Sequence, residues 1–332
     1  MTAVRLGLLG CADIATRRVL PAVHRTADLE LVAVASRTGS KAEATAARFG
    51  GEAVHGYQRL LERADVDAVY IPLPSALHAE WITRALDAGK HVLAEKPLTT
   101  GHLETVRILA LARSCGLVVQ ENYMFLQHRQ HRHVQRLIED GVLGEVRSFA
   151  ATFAIPRRPP GDIRLNPALG GGALLDVGGY PLRALQHFLG PDLEVVGAAL
   201  RPDPTAGVDL GGAALLTRAD GVTAHLTFGL DHGYVASYQI IGAAGSIRVD
   251  HAFTPAADHL PDVWLRLRGG TERLALPADD QYAHSVARFR AAVRAAAPPD
   301  PAIAAQARLL DAVRRAAYGD PSGCSTETRR RT

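Results

Sequence analysis

Short apolar runs alternate with amphipathic stretches through the first 121 residues. The runs have strand length and predict β-strands at 4–9, 29–36, 68–71, 91–94 and 117–121. Between them, helical spacing of apolar positions predicts helices at 15–27, 40–49, 57–62, 77–88 and 100–115. This alternation is typical of parallel β-α-β units, and near-continuous apolar strands are typical of a sheet buried on both faces. The sequence therefore predicts an α/β fold that begins with a doubly wound parallel sheet.

After residue 122 the pattern changes to strands with in/out alternation, separated by turn residues. These strands are predicted at 147–155, 194–200, 213–217, 223–228, 237–241, 246–249 and 264–267. Helices are predicted at 134–140, 282–297 and 301–318. We expect an α+β domain over 122–320 with a largely antiparallel, open sheet. The polar end of the chain, 321–332, is predicted to be a flexible tail.

Composition mainly argues against certain partners, namely nucleic acid, metals and membranes. The chain has 332 residues, 47% of them apolar and 21% charged, and a formal net charge of +3, which does not favour nucleic acid as a partner. The three cysteines, Cys11, Cys115 and Cys324, are far apart, and no Cys/His metal-binding spacing is present, so no metal is predicted. No signal peptide or bilayer-length apolar run is found, and we expect a cytoplasmic protein without a membrane partner.

A glycine turn follows the first predicted strand. It reads Gly10-Cys11-Ala12-Asp13-Ile14-Ala15, which matches G-x-G-x-x-G/A except that alanine replaces the middle glycine. In such a turn the first glycine permits a tight bend, and the helix N-terminus offers amides to a pyrophosphate. The alternative is an ordinary tight turn. The place of the glycine turn in a β-α-β unit favours a Rossmann-type dinucleotide-binding domain over 1–121, with residues 10–14 as cofactor contacts.

The end of the second strand bears on which dinucleotide binds. The chain has Ser36-Arg37-Thr38 there, without the carboxylate that commonly binds the ribose 2′-hydroxyl of NAD. Arg37 can pair with a 2′-phosphate, and the two hydroxyls can donate to it. The sequence therefore predicts NADP(H), although Arg37 could also be a solvated surface charge.

Other candidates follow further strands, where ligands bind in open parallel sheets. Pro72 and Leu73 follow one strand, His78 begins the next helix, and Glu95 and Lys96 precede Pro97 after another. An X-Pro bond of this kind can be cis. A glycine-rich run, 170–181, begins a helix carrying Asp176 and Tyr180, whose i, i+4 spacing places them on one face.

Three of these motifs together resemble the glucose–fructose oxidoreductase/inositol dehydrogenase (Gfo/Idh/MocA) family, over essentially the whole chain. They are GCADIA, the strand-end Glu-Lys-Pro, and Gly-Gly-Gly-x-Leu-x-Asp-x-Gly-x-Tyr. The resemblance implies that Lys96 and Asp176 lie in the active site. Tyr180 stands where inositol dehydrogenase-like members carry histidine, so their histidine-based mechanism does not carry over.

Within the family, YIPLPSALHAEW, HVLAEKPLTT and ENYMFLQH look similar to nucleotide-sugar 3-ketoreductases. So does NPALGGGALLDVGGYPLRALQHFLGPDLEVVG. That resemblance implies NADPH-dependent reduction of the C-3 ketone of a dTDP-linked 3,4-diketo-2,6-dideoxyhexose, in deoxysugar and antibiotic biosynthesis. We expect Tyr180 to be the general acid, Lys96 to lower its pKa, and Asp176 to orient Lys96 or a sugar hydroxyl.

The substrate implied by the resemblance suggests further contacts. Arginines near the glycine-rich run are candidates for the diphosphate: Arg157, Arg158, Arg164 and Arg183. Side chains after the last parallel strand are expected to line the sugar or thymine pocket: Asn122, Tyr123, Phe125 and His128. Two alternatives stay open, a dihydrodiol or pyranose dehydrogenase of the same family and a non-catalytic NADP-binding sensor. We also expect a homodimer or homotetramer formed through the C-terminal sheet.

Overall fold

A computed structural model describes residues 3–319 of the chain. The predicted tail, 321–332, lies outside the described residues. Within them, no helix is both long enough and apolar enough to cross a bilayer.

The N-terminal sheet has six parallel strands. They are β1 (Val4–Leu9), β2 (Leu29–Ser36), β3 (Glu52–His55), β4 (Ala68–Ile71), β5 (His91–Ala94) and β6 (Val119–Glu121). Their order across the sheet is β3-β2-β1-β4-β5-β6. This is the doubly wound Rossmann order. Successive strands are added first on one side of β1 and then, from β4 onwards, on the other side, which leaves a crevice at the carboxyl ends of β1 and β4. The predicted fold class is confirmed.

Helices connect these strands on both faces. A π-helical turn at Ala15–Val19 continues into α1 (Leu20–Arg25). The others are α2 (Gly39–Phe49), α3 (Tyr57–Leu61), α4 (His78–Asp87) and α5 (His102–Cys115). β4 is buried along its whole length, as the continuous apolar run predicts. β3 was not predicted, because only Val54 of its four residues is buried and the apolar pattern is therefore weak.

The C-terminal sheet has eight strands. They are β7 (Val146–Ala154), β8 (Leu193–Asp203), β9 (Val208–Arg218), β10 (Thr223–Gly229), β11 (Val235–Gly242), β12 (Gly245–Asp250), β13 (Asp262–Leu267) and β14 (Gly270–Arg273). Their order is β14-β13-β12-β11-β7-β10-β9-β8. All neighbours pair antiparallel except β7 and β10, which run parallel. The sheet is therefore largely antiparallel, as predicted.

Four helices accompany this sheet: α6 (Arg129–Glu139), α7 (Gly179–Leu189), α8 (Gln281–Arg294) and α9 (Ala302–Tyr318). α7 packs on one face of the sheet, whereas α8 contacts α1 and α9 contacts α5 in the N-terminal half. The helix predicted to start at Val134 begins at Arg129 instead. Its first turn was missed because the residues buried there, Gln130 and His131, are polar.

Candidate active site

The glycine turn after β1 has the geometry that a dinucleotide-binding loop needs. Gly10 has a φ of +105°, and a Cβ at this position would lie 2.7 Å from a methyl carbon of Leu73. The positive φ therefore favours glycine, and a larger side chain would also displace the Leu73 methyl. Cys11, Ala12 and Ile14 are partly exposed and Asp13 is exposed at the start of the helix, where amides lack intrahelical acceptors. These residues fit a bound pyrophosphate.

The end of β2 offers an exposed cation. Arg37 and Thr38 are exposed, while Ser36 is buried and its Oγ accepts a hydrogen bond from the Thr38 amide at 3.1 Å. Tyr57 lies beside Arg37: burial raises the pKa of its phenol, and the charge of Arg37 opposes that rise. The arrangement leaves Arg37 and Thr38 accessible to an anion.

His78 has a different role from the predicted cofactor contact. It is fully buried, with Nε2 at 2.8 Å from the Leu73 carbonyl and Nδ1 at 2.8 Å from the Pro97 carbonyl. It therefore joins the loop that follows β4 to the loop that follows β5. Because no part of His78 reaches the surface, the prediction that it contacts the cofactor was wrong.

Lys96 and Asp176 meet across the cleft between the two sheets. The Lys96–Pro97 bond is cis, and Lys96 Nζ donates to the carbonyl of Asp176 at 2.7 Å and to Asp176 Oδ1 at 2.9 Å. Arg164 Nε donates to Asp176 Oδ2 at 2.7 Å. Burial raises the pKa of Asp176, but Lys96 and Arg164 outweigh burial and hold it below the usual value. One carboxylate therefore fixes two cations beside the cleft.

Tyr180 packs beside this pair. The Lys96 Nζ lies 5.2 Å from the centre of its ring, and the Tyr180 hydroxyl contacts Met124 Sδ at 4.0 Å. Burial raises the pKa of Tyr180 well above its ordinary value, and the neighbouring Tyr282 and Glu95 add to the rise. The pKa of Tyr180 was expected to fall beside Lys96, whereas its net shift is upward because burial dominates. The phenol stays protonated, which is the form a general acid requires.

The cleft itself lies between strand-end loops of the first sheet and the glycine-rich segment of the second half. Ser75 Oγ donates to the Gly170 carbonyl at 3.0 Å across it. Gly170 has a φ of +77°, and a Cβ there would come within 3.0 Å of the Ala76 amide nitrogen, so glycine permits the close approach. The cleft is lined by Leu73, Pro74, Ser75, Lys96, Pro97, Ile163, Arg164, Leu169, Gly170, Gly171, Leu175 and Asp176.

The segment after β6 does not line this cleft. It folds into a 3-10 turn at Met124–Gln127 that packs against α8. Phe125 is fully buried among aromatic rings, and Tyr123 and His128 are 2% and 1% exposed. Asn122 is buried too, donating to Glu95 Oε1 at 2.7 Å and accepting from Ser285 Oγ at 2.7 Å. The prediction that these four side chains contact substrate was wrong, because they form the packing beneath the site.

The four candidate arginines fall into two groups, those at or near the cleft and those already bonded to other protein groups. Arg164 lines the cleft, and Arg158 is exposed in the segment that leads to it. Arg157 is paired with Asp203 at 2.7 Å and with Asp231 at 3.4 Å. Arg183 is buried and donates to Gln186 Oε1 and to the Ala302 carbonyl, both at 2.6 Å. The prediction for Arg183 was wrong, and Arg157 is already occupied by carboxylates.

Two half-buried glutamates support the Lys96 segment. Glu95 Oε1 accepts from the Tyr70 hydroxyl at 2.8 Å and from Asn122, and burial raises its pKa. Glu121 ends β6 and begins the segment that the sequence was expected to place along the substrate pocket, although no role was assigned to it alone. Its Oε1 accepts from the Leu98 amide at 2.8 Å, and its shielded Oε2 has no hydrogen-bond partner among the described residues. Burial raises the pKa of Glu121 to about 7. Only its place at a strand end could have identified it.

Known proteins share this architecture. The family model described as "Oxidoreductase family, NAD-binding Rossmann fold" matches residues 4–123, and the GFO/IDH/MocA C-terminal domain matches residues 131–248. A dTDP-3,4-didehydro-2,6-dideoxy-α-D-glucose 3-reductase from Actinomadura kijaniata is 52% identical, over 95% of this chain and 96% of its own. The enzyme of that name from Streptomyces violaceoruber is 51% identical, with the same coverage.

A solved structure and a more distant relative complete the comparison. The structure is of a 3-ketoreductase from Actinomadura kijaniata in complex with NADP and TDP-benzene. It matches with a TM-score of 0.93 and 51% identity, over 95% of this chain and 98% of that chain. An NADP+-dependent D-xylose 1-dehydrogenase from Haloferax volcanii is 33% identical over 88% of this chain and 90% of its own. The chain belongs to the Gfo/Idh/MocA family of oxidoreductases.

Proposed function

We propose that this protein is an NADPH-dependent 3-ketoreductase. Its substrate would be a dTDP-linked 3,4-diketo-2,6-dideoxyhexose, whose C-3 ketone it reduces. The observation that carries the proposal is the cleft beside the Rossmann edge, which Lys96 and Asp176 line, with Tyr180 packed behind Lys96. Two relatives about half identical to this chain are named for this reaction.

NADP(H) is the cofactor that the strand ends fit best. Gly10 allows close backbone approach, and the exposed Arg37 can pair with a 2′-phosphate, while residues 36–38 include no carboxylate to repel it. The 3-ketoreductase with a TM-score of 0.93 was solved with NADP. We expect residues 10–14 to hold the pyrophosphate and Pro72, Leu73, Glu95 and Lys96 to lie towards the nicotinamide.

The residues of the chain supply binding and proton transfer. NADPH, when bound, supplies the hydride that reduces the C-3 carbonyl. The ketone oxygen gains negative charge as this happens, and the Lys96 ammonium stabilises that charge. Tyr180 then donates its phenolic proton to the oxygen. Asp176 holds Lys96 in place through two contacts and keeps Arg164 alongside.

Variants of the related enzyme support this assignment. Structures of the Actinomadura enzyme include a tyrosine-to-phenylalanine variant and variants in which a lysine is replaced by alanine or glutamate. The separation between those two positions along its chain equals the separation between Lys96 and Tyr180 here. We therefore assign Tyr180 as the proton donor and Lys96 as its partner at the ketone oxygen.

The diphosphate of a nucleotide sugar needs cationic partners. Arg164 is at the cleft and Arg158 is exposed nearby, so these two are our candidates. Arg164 already binds Asp176 and Asp162, and an incoming phosphate would compete with these carboxylates for its remaining donors.

The decisive experiment compares substrates. We expect rapid oxidation of NADPH with the dTDP-linked diketosugar and no turnover of free D-xylose with NADP+. Efficient oxidation of D-xylose or another free sugar would favour the dehydrogenase alternative. NADPH binding without turnover of any nucleotide sugar would favour the sensor alternative.

We also propose that the chain assembles through the outer face of its C-terminal sheet and acts in the cytoplasm. Apolar side chains stand exposed on strands of this sheet, among them Val196, Leu215, Ile241 and Trp264. Burying such a face against a second copy removes apolar surface from water. Light scattering is expected to give a dimer or tetramer, and a monomeric mass at working concentration would contradict this.

A further inference from the structure

A cluster of two histidines and one aspartate lies outside the proposed active site, at the base of the loop between β12 and β13. His251 follows directly after β12, His259 lies near the end of the loop, and Asp262 begins β13. One ligand atom from each side chain lies within 4.8 Å of the others. We propose that these three residues bind a first-row divalent transition metal, with Zn²⁺ as the probe to be tested.

The two histidine–aspartate separations match a tetrahedral metal better than an ordinary ion pair. His251 Nδ1 and His259 Nε2 lie 3.3 and 3.4 Å from Asp262 Oδ2. Ligands bound to Zn²⁺ at about 2.0–2.1 Å in a tetrahedron are separated by about 3.3–3.4 Å. A hydrogen bond between histidine and carboxylate is shorter, about 2.7–2.9 Å.

The chain contains such a histidine–carboxylate bond for comparison. His284 Nε2 lies 2.7 Å from Asp279 Oδ1. His259 Nε2, by contrast, is shielded from solvent and has no hydrogen-bond partner among the described residues. A shielded ring nitrogen without a partner costs free energy, and a metal ion at this point would satisfy it.

Neighbouring groups position the candidate ligands. Arg273 Nη2 lies 2.6 Å from Asp262 Oδ1, which leaves Oδ2 facing the two histidines. Metal-binding carboxylates are commonly held by a hydrogen bond of this kind. His251 has a φ of +51°, a left-handed conformation that is uncommon outside glycine and is adopted mainly by asparagine, aspartate and histidine. This backbone turns the chain at the end of β12 and leaves His251 beside His259, with ring centres 4.6 Å apart.

The donor types decide the class of metal. Two imidazoles and one carboxylate suit zinc and other first-row transition metals, whereas Ca²⁺ and Mg²⁺ prefer sets of oxygen ligands. Three protein ligands leave a fourth position for water. The H-x7-H-x2-D spacing crosses a loop and matches no familiar metal-binding motif, so the sequence alone does not point to this site.

A metal here would fasten the loop that supports the proposed proton donor. Phe253, in this loop, is fully buried, and its ring centre lies 5.8 Å from that of Tyr180. His251 and Asp262 lie at the base of the loop, which the pairing of Asp250 with Asp262 already closes, so the ion would fasten His259 to this base. Loss of the metal would loosen the loop and the packing behind Tyr180.

The test uses tag-free full-length protein treated with EDTA, dialysed, and titrated with ZnCl₂ in a calorimeter. We expect one Zn²⁺ per chain and a rise in Tm of about 3–5 °C at saturation. His259→Gln should weaken Zn²⁺ binding at least about tenfold. His251→Asn should do the same while still folding, because asparagine tolerates the left-handed backbone.

A matched control is His24→Gln, which removes an exposed histidine outside the cluster and should leave Zn²⁺ binding unchanged. Co²⁺ bound in place of Zn²⁺ should show the intense visible absorption of a tetrahedral site, and this absorption should disappear in His251→Asn. The proposal is overturned if the wild-type chain takes up no Zn²⁺, or if both cluster variants bind it as tightly as the control.

Discussion

Replacement of Asp176 by asparagine tests the arrangement of charges in the cleft. The carboxylate accepts from Lys96 at 2.9 Å and from Arg164 at 2.7 Å, and its side chain is only 20% exposed. Asparagine keeps the shape, and its oxygen can still accept from Lys96. Its amide nitrogen cannot accept from Arg164, so one charge-assisted bond is lost and the other is weakened.

The size of the effect follows from these contacts. Hydrogen bonds to charged groups contribute about 1.5–3 kcal/mol each. Losing one and weakening the other should therefore cost about 2–4 kcal/mol of stability, reduced where solvent reaches the cations. Lys96 keeps its bonds to the carbonyl and side-chain oxygen of residue 176, but it is held less firmly without the carboxylate charge. The resulting small misplacement of its ammonium should lower kcat by up to about 10²-fold.

Asp162→Asn is the matched control. Asp162 also binds Arg164, at 3.2 Å, and its Oδ1 accepts from the Arg164 amide, a bond that the asparagine oxygen can keep. It does not contact Lys96, so kcat should change by less than about threefold, as is typical of partly exposed pairs. Initial rates of NADPH oxidation and thermal melts would measure both effects. Equal losses of kcat in the two variants, or an unchanged kcat in Asp176→Asn, would refute the reasoning.

Three further predictions concern separate parts of the molecule. Tyr180→Phe should reduce kcat by about 10²–10⁴-fold with NADPH affinity unchanged, and a loss below about tenfold would exclude Tyr180 as the sole proton donor. Arg37→Leu should raise the Kd for NADPH by about 10–100-fold and leave that for NADH nearly unchanged; parallel changes would argue against a 2′-phosphate contact. Because the pKa of Glu121 is raised to about 7, its protonated form stabilises the fold below about pH 4.5, and this contribution is lost as pH rises through 7. Glu121→Gln should therefore gain up to about 3 kcal/mol relative to wild type between pH 5 and 8, and parallel Tm–pH curves would contradict this.

The sequence predicts which residues follow the parallel strands, and the topology of the sheet brings their ends to one edge. Lys96 and the Ser36–Thr38 segment follow β5 and β2, and Asp176 reaches Lys96 from the second half of the chain. That long-range contact was inferred from family resemblance, since local periodicity carries no information about pairing between distant segments.

Polar residues that become buried were the main source of error. Asn122, His128 and Arg183 were expected at the substrate because polar and charged side chains are usually exposed. In the structure Asn122 and Arg183 satisfy their polar atoms inside the protein, with Glu95 and Ser285 and with Gln186 and the Ala302 carbonyl respectively. His128 is buried as well, although its Nε2 has no hydrogen-bond partner among the described residues. Most of these partners lie far away in sequence, so no local pattern distinguishes a buried polar group from one that awaits a ligand.

The central claim is that this chain delivers hydride to C-3 of a nucleotide-linked ketosugar. The most direct measurement uses NADPH that carries deuterium at the transferred position of nicotinamide C-4. The substrate is the dTDP-linked 3,4-diketo-2,6-dideoxyhexose. NMR of the product should show a single deuterium on C-3 of the sugar and none on C-4 of the sugar. Deuterium on C-4, or a product without deuterium, would contradict the account.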